Sequence, residues 1–198
     1  MKRLEIAAAT RPSGVHPRRA APDRTTLEHD PPMAMQMERV ESFLLAERLK
    51  FRSHDDGHVV VGFATRHYAA PDGTKGIAIA VRLSEEGRYL ECIAPGLYSL
   101  QGCRHPDAVL RTLLAIMQRT KMIRFDWDPA DGEIRCAIEC PVEDGMLTRR
   151  QFMRMLHAIP ELVDAWDPAI RAACASGEMR LDAASSAAAC RADASSRG

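Results

Sequence analysis

Three short apolar segments joined by tight turns constrain the fold of this chain more than any other feature of its sequence. They are residues 58–65, 76–83 and 88–94, which are rich in β-branched residues or alternate between two faces. The connections are Pro71-Asp72-Gly73 and Glu86-Gly87, which suit tight turns because glycine adopts positive φ and Asp bonds its own backbone. Successive strands joined in this way predict an antiparallel meander.

Helices and further strands complete the predicted domain. Apolar residues recur at three- and four-residue spacing over about 36–50, which predicts a first helix. His105-Pro106 opens a second helix, because proline at the first helical position sacrifices no internal hydrogen bond. Strands are predicted at 122–128 and 133–140, with the turn 129–132 between them. The expected fold class is α+β, an antiparallel sheet in the order helix-β-β-β-helix-β-β-helix.

The third predicted helix has the strongest start signal in the chain. A capping box and a hydrophobic staple are formed by four residues: Leu147, Thr148, Gln151 and Phe152. Pro160 is expected to end or kink this helix. Asp167-Pro168 is expected to cap a further short helix that stops near Gly177.

The two ends of the chain differ in composition from its centre. All ten aromatic residues fall between Phe43 and Trp166. The first 32 residues are rich in Pro and Arg, and such segments cannot bury enough apolar surface to offset their ordering entropy. We therefore predict a disordered N-terminal extension at 1–35, an α+β domain at 36–177 and a disordered tail at 178–198. Methionines at 33, 35 and 37 leave open whether the leader is a flexible extension or a wrongly assigned start.

Composition and charge exclude several classes of protein. The 27 Lys and Arg residues balance 27 Asp and Glu residues, and residues 33–177 alone carry a net charge of −2. This balance argues against a strongly basic nucleic-acid-binding protein, which must neutralise phosphates. No stretch approaches the ~20 unbroken apolar residues of a membrane span, and the start lacks the apolar region of a secretory signal. The sequence therefore predicts a cytoplasmic protein with no membrane or nucleic-acid partner.

Cysteine content and glycine patterns argue against two further classes. Six cysteines in 198 residues are far too few for a disulfide scaffold, so reduced thiols are expected. The sequence contains no G-x-S-x-G motif, no Walker loop and no dinucleotide glycine fingerprint. We therefore predict that the protein is not an enzyme and has no cofactor.

Two clusters of charged residues carry possible metal ligands, but their spacing favours turns. Four acidic residues lie close together: Asp126, Asp128, Asp131 and Glu133. They resemble a calcium loop, yet Asp131 comes one place too late and the flanking segments alternate as strands. His54-Asp55-Asp56-Gly57-His58 offers zinc ligands, but a turn does not hold these side chains convergent. We interpret the clusters as a hairpin turn and a solvated turn, and predict no metal site.

Three further groups carry reactive or basic side chains. Cys136 and Cys140 are predicted on one strand, roughly 13 Å apart at about 3.3 Å per residue, so we interpret them as core residues. Cys103 and His105 lie at a helix entrance, where the helix dipole could activate a thiol, but no orienting partner is evident. The runner-up hypothesis is a small-ligand-binding protein or enzyme with a pocket near Cys103 and His105, and His157 as a further reactive group. Three arginines lie near the start of the third helix: Arg149, Arg150 and Arg154. They could contact an anionic partner, although a solvated surface is favoured.

One face of the predicted meander carries mainly small side chains and valine, so it is expected to be smooth. Large apolar residues alternate onto the core face: Val59, Val61, Phe63, Ile77, Ile79 and Val81. The opposite face carries Val60, Gly62, Ala64, Ala78 and Ala80, whereas a solvent face normally carries charges. The sequence leaves two explanations of this face equally open: a helix of the same chain covers it, or a second subunit or a partner covers it. We hypothesise an association face at Val60, Ala64, Ala78 and Ala80.

The element order and two sequence runs resemble the YbjN-like family. The runs are residues 125–134, Phe-Asp-Trp-Asp-Pro-Ala-Asp-Gly-Glu-Ile, and 143–152, Glu-Asp-Gly-Met-Leu-Thr-Arg-Arg-Gln-Phe. Proteins of that family are described as bacterial sensory-transduction regulators and share the fold of type III secretion chaperones. The resemblance implies an α+β domain with a non-enzymatic regulatory or chaperone-like role, binding protein by self-association or through a client. It supplies no catalytic residues for this chain.

Overall fold

The computed structural model describes residues 34–143 and 145–181. Residues 1–33 and 182–198, which carry most of the predicted N-terminal extension and C-terminal tail, lie outside the described residues. The elements along the described chain are α1 (Met37–Ala46), β1 (Phe51–Ser53), β2 (Val59–Ala64), β3 (Gly76–Ser84), β4 (Tyr89–Ser99), α2 (Pro106–Arg119), β5 (Arg124–Trp127), β6 (Glu133–Pro141) and α3 (Arg149–Ser176). None of these helices is long and apolar enough to span a lipid bilayer.

All six strands form one antiparallel sheet in the order β1-β2-β3-β4-β6-β5. Strands β2, β3 and β4 are the predicted meander, which is therefore confirmed. The predicted hairpin of β5 and β6 joins the sheet because β6 pairs with β4. The α+β class is confirmed, with one strand more than expected.

The structure differs from the predicted elements at β1 and at the end of β4. The first helix ends at Ala46 because Arg48 adopts a left-handed φ of 56°, and the chain then forms β1. A three-residue strand shows no period in the sequence, so β1 was not predicted. Strand β4 continues past Ala94 to Ser99 through a bulge, where the register with β6 shifts. The backbone N–H of Gly96 in this bulge donates to Glu133 Oε1 at 2.6 Å, so Pro95-Gly96 does not end the strand.

The three helices pack on one face of the sheet and share one core with it. The sheet contributes alternate residues of its inner face: Val59, Val61, Ile77, Ile79, Val81, Leu90, Cys92, Ile134, Cys136 and Ile138. The helices contribute their apolar stripes: Val40, Leu44, Val109, Leu113, Ile116, Phe152, Leu156, Ile159 and Val163. Each fully buried aliphatic side chain of this kind contributes about 1.5–3 kcal/mol relative to exposure. The apolar periodicity therefore decides which face of every element is buried.

Helix α3 is one continuous helix of 28 residues, which corrects the expectation that it ends or is divided near its prolines. The predicted capping box is confirmed: Gln151 N–H donates to Thr148 Oγ1, and Thr148 N–H donates to Gln151 Oε1. Pro160 and Pro168 lie inside the helix, where each removes one backbone hydrogen bond at a cost of about 3 kcal/mol. Several large residues beyond Pro160 are buried and outweigh that cost: Val163, Trp166 and Ile170. Gly177 ends the helix in the left-handed conformation, as expected.

Two residues outside the predicted limits of the domain are buried in its core. Met35 is 5% exposed, and its backbone N–H donates to Gly87 O at 3.2 Å. Leu181 is 7% exposed, and its carbonyl oxygen accepts a hydrogen bond from Arg119 at 3.4 Å. The packed part of the chain thus begins before residue 36 and extends beyond residue 177.

Candidate functional site

The small residues of the meander form a smooth patch on the outer face of the sheet. We define the outer patch as five residues: Val60, Gly62, Ala64, Ala78 and Ala80. Val60 pairs with Ala80 and Gly62 with Ala78, so the patch spans two neighbouring strands. Gly62, Ala64 and Ala78 are exposed, and a Cβ added at Gly62 would meet no atom within 4 Å. Among the described residues, therefore, no helix covers this patch.

A network of ion pairs borders the outer patch on the same face of the sheet. Glu91 accepts a hydrogen bond from Arg82 Nε at 2.5 Å and another from Ser84 Oγ at 2.7 Å. The Arg124 guanidinium donates to both oxygens of Glu139, at 2.8 and 2.6 Å. This bidentate contact lowers the pKa of the Glu139 carboxyl below its usual range. The side chains of this network therefore carry both positive and negative charges next to the smooth patch, and they pair with one another.

A cavity of about 380 Å³ lies between the end of β4, the end of α3 and the segment 69–71. We call it the α3 cavity. Its walls are mostly apolar, and include Leu97, Leu100, Val109 and Ile170. Polar groups reach it from Tyr98, Ser99 and Arg171. The runner-up hypothesis expected a pocket near Cys103, and Cys103 does line this cavity.

Beside the cavity lies an ion-pair network with one buried carboxylate, Asp167, which the sequence did not predict. Asp167 is 2% exposed, accepts Arg171 Nε at 2.9 Å on both oxygens, and accepts the Tyr98 hydroxyl at 3.1 Å. Arg171 also donates to the Ala69 carbonyl oxygen at 2.6 Å. Burial raises the pKa of Asp167, and burial together with the Asp167 charge raises the pKa of Tyr98 well above its usual value. The four-residue spacing of Asp167 and Arg171 is the one sequence signal that pointed to this pair.

The segment that closes the cavity is attached to α3 through Asp164. The carboxylate oxygen Oδ1 accepts three consecutive backbone N–H groups, at 2.9, 2.7 and 2.9 Å: those of Arg66, His67 and Tyr68. Burial alone would raise the pKa of Asp164, but these backbone hydrogen bonds lower it overall. The Tyr68 hydroxyl in turn donates to the Leu97 carbonyl oxygen at 3.0 Å. Asp164 therefore fixes the connection between β2 and β3 against α3.

The candidate reactive residues do not converge on one site. The sequence offered no partner for Cys103, yet the structure places its sulfur in contact with that of Cys174, which corrects the expectation of separate reduced thiols. His105 does not line the α3 cavity; its ring lies against the backbone of Gly177. His157 contacts the Phe63 ring edge-on at 5.4 Å, roughly 25 Å along α3 from Cys174 at 1.5 Å per residue. Cys103, His105 and His157 therefore form no catalytic group.

Both charged clusters lie in turns, as predicted. Asp128 Oδ1 accepts the N–H of Ala130 and Asp131 Oδ1 accepts that of Glu133, each at 2.9 Å, within the β5–β6 hairpin. In the turn between β1 and β2, the rings of His54 and His58 stack at 4.4 Å. Within residues 34–143 and 145–181, no three His, Cys, Asp or Glu side chains are grouped so as to hold a metal ion.

The remaining candidates lie where the sequence placed them. Cys136 is fully buried on β6, and Cys140 is partly buried against the same core. The three arginines at the start of α3 are exposed, and Arg149 Nε lies 3.4 Å from Glu47 Oε1. Nothing at these positions adds a reactive group to the α3 cavity.

This chain is similar to a protein family and to a solved structure. The family model described as "YbjN: Putative bacterial sensory transduction regulator" matches residues 36–172. The crystal structure of YbjN from E. coli, described as "a putative transcription regulator", is similar to this chain at 11% sequence identity, with 68% of this chain and 93% of that chain covered and a TM-score of 0.49. A search of curated proteins gives no match. Because the family model covers well over half of the sequence, the chain belongs to the YbjN family, as its motifs predicted.

Proposed function

We propose that this chain is a non-enzymatic regulatory domain that binds protein through its outer patch, and that a second copy of the chain is the partner. The observation that carries the proposal is the exposure of Gly62, Ala64 and Ala78 in the middle of an otherwise regular sheet. A solvent-facing sheet normally alternates to charged side chains, whereas the outer patch offers only small apolar ones, and the charged side chains of this face lie beside it. The family description as a regulator supports the same role.

The shape of the patch favours close approach by another protein surface. Four of its five residues carry at most a methyl group, so a partner can lie close to the backbone of β2 and β3. Val60 is half-buried and supplies the single larger apolar contact. Contiguous apolar surfaces rimmed by polar groups mark sites of association between proteins.

Charge favours a second copy of this chain over a strongly charged partner. The bordering network pairs Arg82 with Glu91 and Arg124 with Glu139, so neither sign dominates within this network. The chain as a whole has a formal net charge of +0. Two identical surfaces of this kind do not repel each other, and a two-fold axis brings the same patch of both copies together.

The solution mass of a charged variant tests the proposal. We expect the native chain to form a dimer, and the double variant A78E/A80E to be monomeric with an unfolding temperature close to that of the native protein. The variant should still fold because Ala78 and Ala80 lie outside the core. The matched control A130E adds one of these charges at an exposed turn and should leave the dimer intact. A native monomer at all concentrations, or a double variant that remains a dimer, would contradict the proposal.

The α3 cavity supports small-ligand binding as a second candidate function. Its volume of about 380 Å³ and its apolar walls with a few convergent polar groups are typical of ligand sites. The apolar anion 8-anilinonaphthalene-1-sulfonate is a suitable probe, because Arg171 lines the cavity. Saturable binding at one site that the filling variant A175W abolishes would support this function. Equal binding by both proteins would rule it out.

A further inference from the structure

Cys103 and Cys174 meet although 71 residues separate them in the sequence. Their Cα atoms are 5.6 Å apart, which lies within the range of roughly 4.4–6.8 Å found for disulfides. Cys103 lies just before α2, and Cys174 lies in the last turn of α3. We call this junction the α2–α3 seam. A bond between the two sulfurs would connect the end of one helix to the start of the other.

Cys103 and Cys174 are more accessible than the two cysteines that the structure shows fully buried in the core, Cys92 and Cys136. Burial raises the pKa of the Cys92 thiol to about 12, and it raises the pKa of Cys136 as well. The thiolate is the reactive form of cysteine, so these two buried thiols are inert. Cys103 and Cys174 are only half-buried, and both line the α3 cavity. A small reagent that enters the cavity therefore reaches both sulfurs.

We propose that Cys103 and Cys174 form a reversible dithiol–disulfide site, oxidised by small disulfides of the glutathione class, and that the disulfide locks the α2–α3 seam and one wall of the α3 cavity. The site is independent of the outer patch, which lies on the opposite face of the sheet from the helices. Oxidation thus gives the domain a second, more rigid state without changing its association surface.

The exchange proceeds in two balanced steps. The thiolate of one cysteine attacks a sulfur of oxidised glutathione, forms a mixed disulfide and releases one glutathione thiolate. The thiolate of the other cysteine then attacks the protein sulfur of the mixed disulfide and releases the second glutathione. Overall, the two protein thiols lose two electrons and two protons, and the glutathione disulfide takes them up as two thiols.

The disulfide would restrict the ends of two helices that already pack together. Helices α2 and α3 pack on one another, and both contribute buried side chains to one core, among them Val109, Leu113 and Ile170. A cross-link that closes a long loop lowers the conformational entropy of the unfolded chain and so raises stability. It also suppresses fraying of the last turn of α3, which forms part of the cavity wall.

Peptide mapping and thermal unfolding of the full chain test the site. After treatment with excess oxidised glutathione, we expect a Cys103–Cys174 peptide, a mass lower by two hydrogen atoms and an unfolding temperature higher by several degrees. Dithiothreitol should reverse all three changes. Amide hydrogen exchange at 99–105 and 170–177 should be slower in the oxidised protein. The variants C103S and C174S should lose the thermal gain, and the matched control C140S should keep it.

Several outcomes would overturn the proposal. One is a chain that carries only mixed disulfides with glutathione, or a protein disulfide that involves Cys92, Cys140 or Cys190. Another is an oxidised protein whose unfolding temperature equals that of the reduced protein, or one that dithiothreitol cannot reduce. Because these measurements do not depend on solution mass, the redox proposal and the association proposal can fail separately.

Discussion

Removing the Asp164 carboxylate should loosen the connection between β2 and β3 without disturbing the core. Asp164 Oδ1 accepts three backbone N–H groups, and the variant Asp164→Ala leaves all three without this partner. Two of these groups, on Arg66 and His67, lie at exposed residues and will bond water instead, so each loss costs about 0.5 kcal/mol. The Tyr68 residue is 2% exposed, and leaving its N–H unsatisfied costs about 1–3 kcal/mol.

Together these losses lower the free energy of unfolding by about 2–4 kcal/mol. In a domain of this size, roughly 2–4 °C of unfolding temperature corresponds to each kcal/mol, so we expect a fall of about 5–15 °C. Differential scanning calorimetry at neutral pH measures it. Glu161→Gln is the matched control, because Glu161 lies on the same helix with an exposed side chain and should change the unfolding temperature by less than about 1 °C.

The pH dependence distinguishes the carboxylate from a purely steric effect. The fold lowers the pKa of Asp164 below its ordinary value of 3.8, so its contribution to stability is present above that pH. The contribution is lost as the pH falls through the lowered pKa of the folded state. The deficit of Asp164→Ala relative to the native protein should therefore shrink in acid. An unfolding temperature unchanged at neutral pH, or a deficit that stays constant through the acid range, would refute this reasoning.

Three further variants test the packing that holds the fold together, each by denaturant or thermal unfolding. Gly87→Ala should destabilise by about 2–4 kcal/mol, because φ is +87° and the added Cβ would collide with the carbonyl oxygen of Met35; a neutral effect would contradict that contact. Thr148→Ala should cost about 1 kcal/mol by removing the hydroxyl of the capping box, and full stability would show that the cap is dispensable. Ile79→Ala should cost about 2–5 kcal/mol because the side chain is fully buried, and a loss below 1 kcal/mol would place β3 outside the core.

The sequence predicted those elements that are determined by residues close together in the chain. The alternation of 76–83 identifies β3 because a strand that buries one face must place apolar residues at every second position. The Thr148–Gln151 capping box marks the start of α3 within one residue, because both of its hydrogen bonds are local. The smooth outer patch was also visible from the same alternation.

Features that depend on distant packing could not be predicted in this way. Helix α3 continues through Pro160 because tertiary burial on both sides outweighs a local penalty. Cys103 and Cys174 meet because α2 and α3 pack side by side, and no spacing in the sequence encodes that contact. The Asp164 contacts with residues 66–68 cross almost a hundred residues of chain, so they likewise emerge only from the folded arrangement.

Sedimentation equilibrium of the native chain and of A78E/A80E tests the central claim most directly. The account predicts a native species of twice 21.9 kDa that dissociates on dilution, and a charged variant that sediments at 21.9 kDa with native thermal stability. A native protein that sediments at 21.9 kDa at every concentration would contradict the claim that the outer patch binds a second copy. So would a charged variant that retains the mass of the native assembly.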